Sequence, residues 1–400
     1  MRILHTSDWH LGRSFHGTSL LAEQTAALER IVELASEAAV DAVLIAGDIY
    51  DRAIPPSEAV ELFNHTLARL RESGAAVAAI AGNHDSPVRV SVYDPLLSAF
   101  GVTIRGELRR ADEPVLVTPR LGGSPVAIYP LPYLEPSVDG PELIRLVEAE
   151  ASDAPAPPGR MRHEEVTRLA LDRIHRDRRQ RPDPRSVLVA HAFVAGGEGC
   201  ESERELTVGN VDRVSVQAFE GFDYVALGHL HGSQQLDGPR LAYSGTPLAY
   251  SFSEQHHTKS VRIVELDATG RPTVEIVPLG VGRELCTIEG GIEELLREAR
   301  FEAATSCRVR VILTDEQLPL QAMARLRGRF PHVAELRHRP PEVSGAGAGA
   351  GERHAQVREA RSPLALATAF FADQQGREAS EAEAALLREA LQAVGRGGER

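Results

Sequence analysis

Five apolar runs in the first 231 residues each end in side chains able to hold a metal ion. The ends read Ser7-Asp8-Trp9-His10, Gly47-Asp48, Gly82-Asn83-His84-Asp85, His191, and Gly228-His229-Leu230-His231. Carboxylate and amide oxygens with imidazole nitrogens, and no thiolate, suit Mn²⁺, Fe²⁺ or Zn²⁺. Alternate residues of an extended segment point to one side, so the pairs Asp8-x-His10 and His229-x-His231 can each grip a metal without a helix. Seven candidate ligands, Asp8, His10, Asp48, Asn83, His191, His229 and His231, are too many for one ion. They suit two ions sharing a bridging carboxylate. Two metals roughly 3.5–4 Å apart activate a water and stabilise both oxygens of an in-line displacement, the chemistry of phosphoester hydrolysis. Glycines before Asp48, Asn83 and His229 allow tight turns and close approach to substrate. Taken singly, any of these residues is an ordinary turn, cap or surface residue; five in succession are not. His5, His16 and His65 need no chemical role, and Trp9 is expected to pack beside the site.

To bring such dispersed residues together, the chain must place strand ends along one edge, as open α/β sheets do. Residues 1 to about 280 alternate short apolar runs with amphipathic stretches. The pattern predicts strands at 2–6, 42–46, 77–81, 125–129, 186–190, 223–227, 240–244 and 260–266. Helices are predicted at 21–38 and 57–73, the second capped by Ser57 after Pro55-Pro56. A polar, arginine-rich helix at 161–180 has a solvated face as its default reading. After Gly280 the pattern restarts as strand 284–289, helix 292–299, strand 308–313, helix 318–330 and strand 332–338. The stretch 344–351 is Ser344 followed by alternating Gly and Ala, the composition of a flexible linker. Helices follow at 363–373 and 380–394, with Ser380 and Glu383 at capping-box spacing. Four segments result: 1–280, 281–343 as a small α+β domain, a linker at 344–361, and helices in 362–400 whose apolar face (Leu364, Leu366, Phe370, Phe371) suits another chain.

With 400 residues, 42% apolar and 25% charged, the chain buries a sizeable core, which removes disorder and disulfide scaffolds. No apolar run approaches the ~18 residues of a membrane span. Asp8 interrupts the N-terminus before a signal-peptide core can form, so a soluble, cytoplasmic protein is expected. The net charge of −13 disfavours nucleic-acid binding by bulk electrostatics. It does not exclude a DNA enzyme, since bound cations and a partner subunit can supply positive charge. Lys259 is the single lysine among 44 basic residues, which the composition of a GC-rich genome accounts for. Cys200, Cys286 and Cys307 lie far apart with no CxxC spacing, against a disulfide framework or cysteine zinc site. They are expected to act as buried small hydrophobes.

Asp8-x-His10, Gly47-Asp48-x-x-Asp51, Gly82-Asn83-His84-Asp85, His191 and Gly228-His229-x-His231 resemble the calcineurin-like metallophosphoesterase superfamily. Longer strings narrow it: His5-Thr-Ser-Asp-Trp-His-Leu-Gly12, Gly47-Asp-Ile-Tyr-Asp-Arg-Ala-Ile-Pro-Pro56, and Tyr243-Ser-Gly-Thr-Pro247 followed by Ser251-Phe252. These resemble the bacterial SbcD family of nuclease subunits, over nearly the whole chain and most weakly from about 290 to 351. The resemblance implies an α/β fold, a helix-flanked β-sandwich with a small α+β capping domain and a C-terminal helix pair. It also implies that Asp8, His10, Asp48 and His231 hold one metal, and Asp48, Asn83, His191 and His229 the other, both Mn²⁺. His84 would act on the scissile phosphate and its leaving oxygen. Implied partners are double-stranded DNA and an SbcC-like ATPase with a long coiled coil, in a heterotetramer built on a homodimer, with no membrane. Gly47-Asp-x-x-Asp-Arg52 also resembles protein serine/threonine phosphatases, where the arginine binds phosphate. Here Ala53 follows in place of glycine, and Arg52 stays an equal choice between phosphate contact and surface residue.

Three readings follow: a two-metal DNA nuclease; a phosphomonoesterase or cyclic-nucleotide phosphodiesterase built on the same site; and an idle scaffold anchoring an ATPase. The complete ligand set disfavours the third. The extra C-terminal segments, which a small-molecule phosphatase does not require, disfavour the second.

Overall fold

The structure is a computed structural model that describes residues 1–150, 161–181, 185–203, 213–341, 363–375 and 377–397. The linker expected at 344–361 lies outside the described residues. The chain divides into two compact units, Met1–Ile312 with Gln321–Arg337, and Leu313–Leu320 with His338–Arg400.

Two six-stranded sheets dominate the first unit. Strands β1 (Arg2–Thr6), β4 (Ala42–Ile45), β5 (Ala76–Ile80) and β6 (Val102–Arg105) run parallel, with β13 (Ser260–Leu266) antiparallel to β1 and β14 (Pro272–Pro278) outside it. A two-stranded hairpin, β2 (Ser14–Phe15) and β3 (Thr18–Ser19), follows β1. In the second sheet β8 (Val126–Pro130), β9 (Ser186–His191), β10 (Tyr224–Gly228) and β12 (Leu241–Tyr243) are parallel. Its edges are β7 (Val115–Val117) and β11 (Gln234–Asp237).

Alternation along each strand builds the layers, because successive side chains face opposite ways. Ile3, Leu44, Ala78, Ile128, Val187, Val189, Tyr224 and Val264 form the core between the sheets. The other face of the first sheet, including Leu4, Val43, Ile45 and Val77, takes up Leu28, Ile31, Phe63 and Leu70 of α1 (Leu21–Glu37) and α2 (Ser57–Glu72). Leu188, Val225 and Leu227 of the second sheet likewise pack on Val166, Ala170 and Ile174 of the helix His163–Arg178. Strands covered on both faces need continuous apolar runs, which is why Ala42–Ile45 is apolar throughout. The result is the expected helix-flanked β-sandwich.

A third sheet, Leu285–Gly290, Arg308–Leu313 and Val333–His338, carries the helices Ile292–Arg297 and Ala322–Arg329. Arg308 ties it to α1 through Glu23 at 2.6 Å, and Arg310 lies 4.5 Å over the Phe252 ring. In the second unit, helices Pro363–Gln375 and Glu381–Gly397 form a pair. The Ser380–Glu383 capping box is present, Glu383 Oε2 accepting from the Ser380 N–H (2.9 Å) and hydroxyl (2.7 Å).

Several local expectations fail for identifiable reasons. Pro56, extended at ψ 153°, is the N-cap of α2; Ser57 is its first helical residue and its hydroxyl turns to Glu58. The helix expected from 318 begins at Ala322: Pro319 disfavours helical backbone at Leu318, and Gln321 takes left-handed backbone at φ 53°. The helix Pro136–Glu150 is not anticipated by the sequence, since Gly140-Pro141 interrupts its pattern. Edge strand β14 is mostly exposed and has a proline at each end, Pro272 and Pro278, which masks the strand signal of Val274, Ile276 and Val277. On the arginine-rich helix, Arg173 is buried and paired with Asp112. Of the cysteines only Cys307 is buried, and all three are free. Cys286 and Cys307 meet despite their separation, and burial, then this neighbour, pushes the Cys286 thiol up to about 12.

Candidate metal centre

Asp8 and His10 follow β1, Asp48 follows β4, Asn83 and His84 follow β5, His191 ends β9, and His229 and His231 follow β10. All five strands present their carboxyl ends on one edge, so residues far apart in sequence, Asp8 and His231 among them, become neighbours. The loops bend sharply: Asp8, His10, Asp48 and His229 take φ of 52°, 45°, 46° and 108°. Left-handed backbone is unfavourable for non-glycine residues and clusters at functional sites, where surrounding structure enforces it. Close approach explains two glycines. A Cβ on Gly82 would lie 2.2 Å from Asp48 N and Oδ1, and one on Gly228 would lie 1.7 Å from the Ala46 carbonyl oxygen.

The ring nitrogens can be assigned from their partners. His191 Nδ1 lies 2.8 Å from the Ala46 carbonyl, which only accepts, so Nδ1 carries the hydrogen and Nε2 a bare lone pair. That Nε2 faces Asn83 Oδ1 at 2.9 Å, and His229 Nδ1 faces the same oxygen at 3.1 Å. On the other side, His10 Nε2 and His231 Nε2 are 3.1 Å apart. Asp48 Oδ2 lies between the groups, 3.5 Å from His191 Nε2 and 3.7 Å from His10 Nε2. The remaining Asp48 oxygen accepts the His84 N–H at 2.8 Å. Asp8 accepts the His229 N–H and the Ser7 hydroxyl.

Electrostatics agree with cation binding. Burial holds the imidazoles of His10, His229 and His231 well below their ordinary pKa, helped by neighbouring cationic groups, and lowers His191 to about 3. They are neutral and ready to ligate. Burial raises Asp8 well above the usual carboxylate range, with Asp48 adding repulsion, and raises Asp48 to about 6. Asp85, which accepts N–H groups from Gly82, Ile49 and Tyr50, is raised to about 7 by burial and then by Asp48. Buried carboxylates without a countercharge are costly. The facing lone pairs of His191 Nε2 and Asn83 Oδ1 are too, and a divalent cation relieves both. Asp8, His10 and His231 offer ligand atoms within 4.8 Å of one another, as do Asp8, Asp48 and His191, so the donor set fits two hard-to-borderline ions.

His84 is half-buried beside this cluster, its ring 4.8 Å from that of His10 and its Nδ1 2.9 Å from the Asp51 carbonyl. Arg52 is exposed and makes no hydrogen bond or ion pair among the described residues. Trp9 is buried against Phe63, as expected. His5 is buried between the Tyr224 hydroxyl and the Leu227 carbonyl. The motifs do not reveal the shell behind the candidate ligands. Arg13 pairs with Asp51 at 3.2 Å, bonds the Ser202 carbonyl and covers the Tyr250 ring. Glu203 accepts the His231 N–H, and burial lifts it to about 7. Ser202 and Glu254 back the His231 ring. No sequence signal marks Glu254, which sits in the polar stretch 251–259.

Residues 1–233 match the calcineurin-like phosphoesterase family. The chain belongs to that family. In the phosphoesterase, residues 281–375 match a second family, the type 5 capsule protein repressor C-terminal domain. The SbcD component of the nuclease SbcCD from Bacillus subtilis is 34% identical over 347 residues, covering 84% of this chain and 85% of the relative. The component of the same name from Staphylococcus epidermidis is 30% identical over 339 residues (84% and 85%). That of Escherichia coli K12 is 29% identical over 305 residues (74% and 72%).

Proposed function

We propose that the phosphoesterase is the nuclease subunit of an SbcCD-type complex, cutting DNA exonucleolytically and at hairpins with two Mn²⁺ ions. The observation that carries this reading is Asp48, buried between two groups of neutral nitrogen and oxygen donors. One ion would be held by Asp8, His10, Asp48 and His231, the other by Asp48, Asn83, His191 and His229. When bound, such ions activate water and stabilise the oxygens of the displacement. The chain's own residues do the rest. Backbone N–H groups of His84 and His229 fix the two carboxylates. His84, anchored through Nδ1 on the Asp51 carbonyl, has Nε2 to meet the phosphate and assist the leaving oxygen. Arg52, exposed next to Asp51, would contact a DNA phosphate in this reading.

The relatives' names support an SbcC-like ATPase partner and duplex DNA as substrate. The C-terminal helix pair, with Leu366, Phe370 and Leu386 exposed, suits the ATPase. A homodimer within a heterotetramer is part of the reading; Val88, Val92, Tyr93, Leu96 and Phe100, each more than half exposed, offer it a surface. So is a cytoplasmic location. No helix among the described residues is long and apolar enough to cross a membrane. The test is cleavage of linear duplex DNA against p-nitrophenyl phosphate, with Mn²⁺, before and after adding the ATPase. Duplex cleavage that the ATPase stimulates is expected. Turnover of p-nitrophenyl phosphate alone would favour a phosphomonoesterase, and no turnover of either an idle scaffold.

A further inference from the structure

Behind His231 runs a chain of hydrogen bonds that the chemistry above does not use. Ser202 Oγ lies 2.6 Å from His231 Nδ1 and 2.6 Å from Glu254 Oε1. Both Ser202 and Glu254 are buried, and Glu254 meets the His231 ring only through the serine, its Oε1 standing 4.0 Å from Nδ1. Glu254 Oε1 also accepts the Tyr250 N–H, while Oε2 is paired with the Lys259 ammonium. Lys259 in turn donates to Thr246 Oγ1 at 2.7 Å and to the His231 carbonyl at 3.1 Å, so its three donors are all used. The planar fork of an arginine does not match three acceptors grouped around one nitrogen. That gives the chain's only lysine a structural reason at this position.

The protons can be counted along this line. A serine hydroxyl has one hydrogen, and the carboxylate paired with Lys259 is an acceptor, so Ser202 donates to Glu254. Ser202 Oγ must then accept from His231, which places the imidazole hydrogen on Nδ1. The lone pair is left on Nε2, the atom that faces His10 Nε2 across 3.1 Å. Cys200 Sγ lies 3.2 Å from the same hydroxyl. We propose that Ser202 and Glu254, neutralised by Lys259, are positioning residues that lock His231 in its Nδ1–H tautomer and so set the affinity of the ion held with Asp8 and His10. The inference rests on the two-ion reading above. It adds an asymmetry, since His191 on the other side is oriented by the main-chain Ala46 carbonyl.

Partners that orient a ligating histidine typically change metal affinity by about 10–100-fold when removed. The experiment is Mn²⁺ titration of the metal-free full-length protein against a competing chelator, which counts ions and resolves their affinities without turnover. The wild type should bind two Mn²⁺. Ser202→Ala should weaken one of them by about 10–100-fold and leave the other unchanged, with Ser202→Thr restoring it because the hydroxyl returns. Glu254→Gln should weaken the same ion. Equal affinities in wild type and Ser202→Ala would overturn the relay. So would an equal loss at both sites that Thr does not restore, because that marks general structural damage, which thermal melting in chelator would show. A wild type holding a single ion would instead overturn the two-ion reading, and the ratio of variant to wild type would still judge the relay.

Discussion

Replacing His84 by Ala separates chemistry from metal binding. The side chain is anchored on the Asp51 carbonyl at 2.9 Å, whereas the contact to Asp48 runs through the His84 main-chain N–H and survives the substitution. The Asp48 carboxylate therefore keeps its orientation, and both proposed ions should stay. General acid–base groups contribute about 10²–10⁴-fold, or about 3–5 kcal/mol of barrier at ~1.4 kcal/mol per tenfold. Turnover of labelled linear duplex DNA should fall by that factor in kcat, with KM and DNA affinity little changed. Elemental analysis should still find two ions. A rate within about threefold of wild type, well short of the usual acid–base contribution, would remove His84 from the chemistry. Loss of an ion would make it a ligand instead, a role its approach to His10 and Asp48 within 4.8 Å permits.

Asp48→Ala should abolish cleavage and lower metal content at both sites, since one carboxylate serves both groups; two tightly bound ions in this variant would refute the bridge. A chain ending at Gly351 should keep Mn²⁺-dependent phosphoesterase activity yet fail to co-purify with the ATPase, and Phe370→Glu with Phe371→Glu should do the same, because burying unpaired carboxylates in an apolar groove is costly. Unchanged partner affinity in both would sink the docking role of the helix pair. His5, buried between Tyr224 and Leu227, has its pKa lowered from 6.5 to about 3 by burial first and Arg262 second. The folded protein refuses a proton that the unfolded chain accepts, so this contribution is full above pH 6.5 and is lost as pH falls towards 3. The slope reaches at most ~1.4 kcal/mol per pH unit. Denaturation midpoints of His5→Gln should depend less on pH across that window; identical pH profiles would show that His5 is not held neutral.

The candidate ligands were legible because each lies at the end of an apolar strand, with a glycine just before Asp48, Asn83 and His229. The reason is backbone geometry: a strand that stops at a tight turn delivers its last residues to the sheet edge, and the glycines at 82 and 228 are required by contacts shorter than any Cβ allows. The layered α/β core followed from the same alternation. What the sequence did not disclose depends on contacts between distant segments or on proline and glycine inside regular elements. Strand β14 is a mostly exposed edge strand with a proline at each end, and Gly140-Pro141 hides a helix that tertiary packing stabilises. Cys286 and Cys307 become neighbours only because two strands pair. The shell of Ser202, Glu203, Glu254 and Lys259 around His231 gathers residues from separate loops, and no spacing rule connects them. Residue types and turns thus determined which atoms could bind metal. Only the packed sheets decided which nitrogens face one another, which carboxylate lies between, and which hydroxyl holds a histidine in the tautomer that ligation needs.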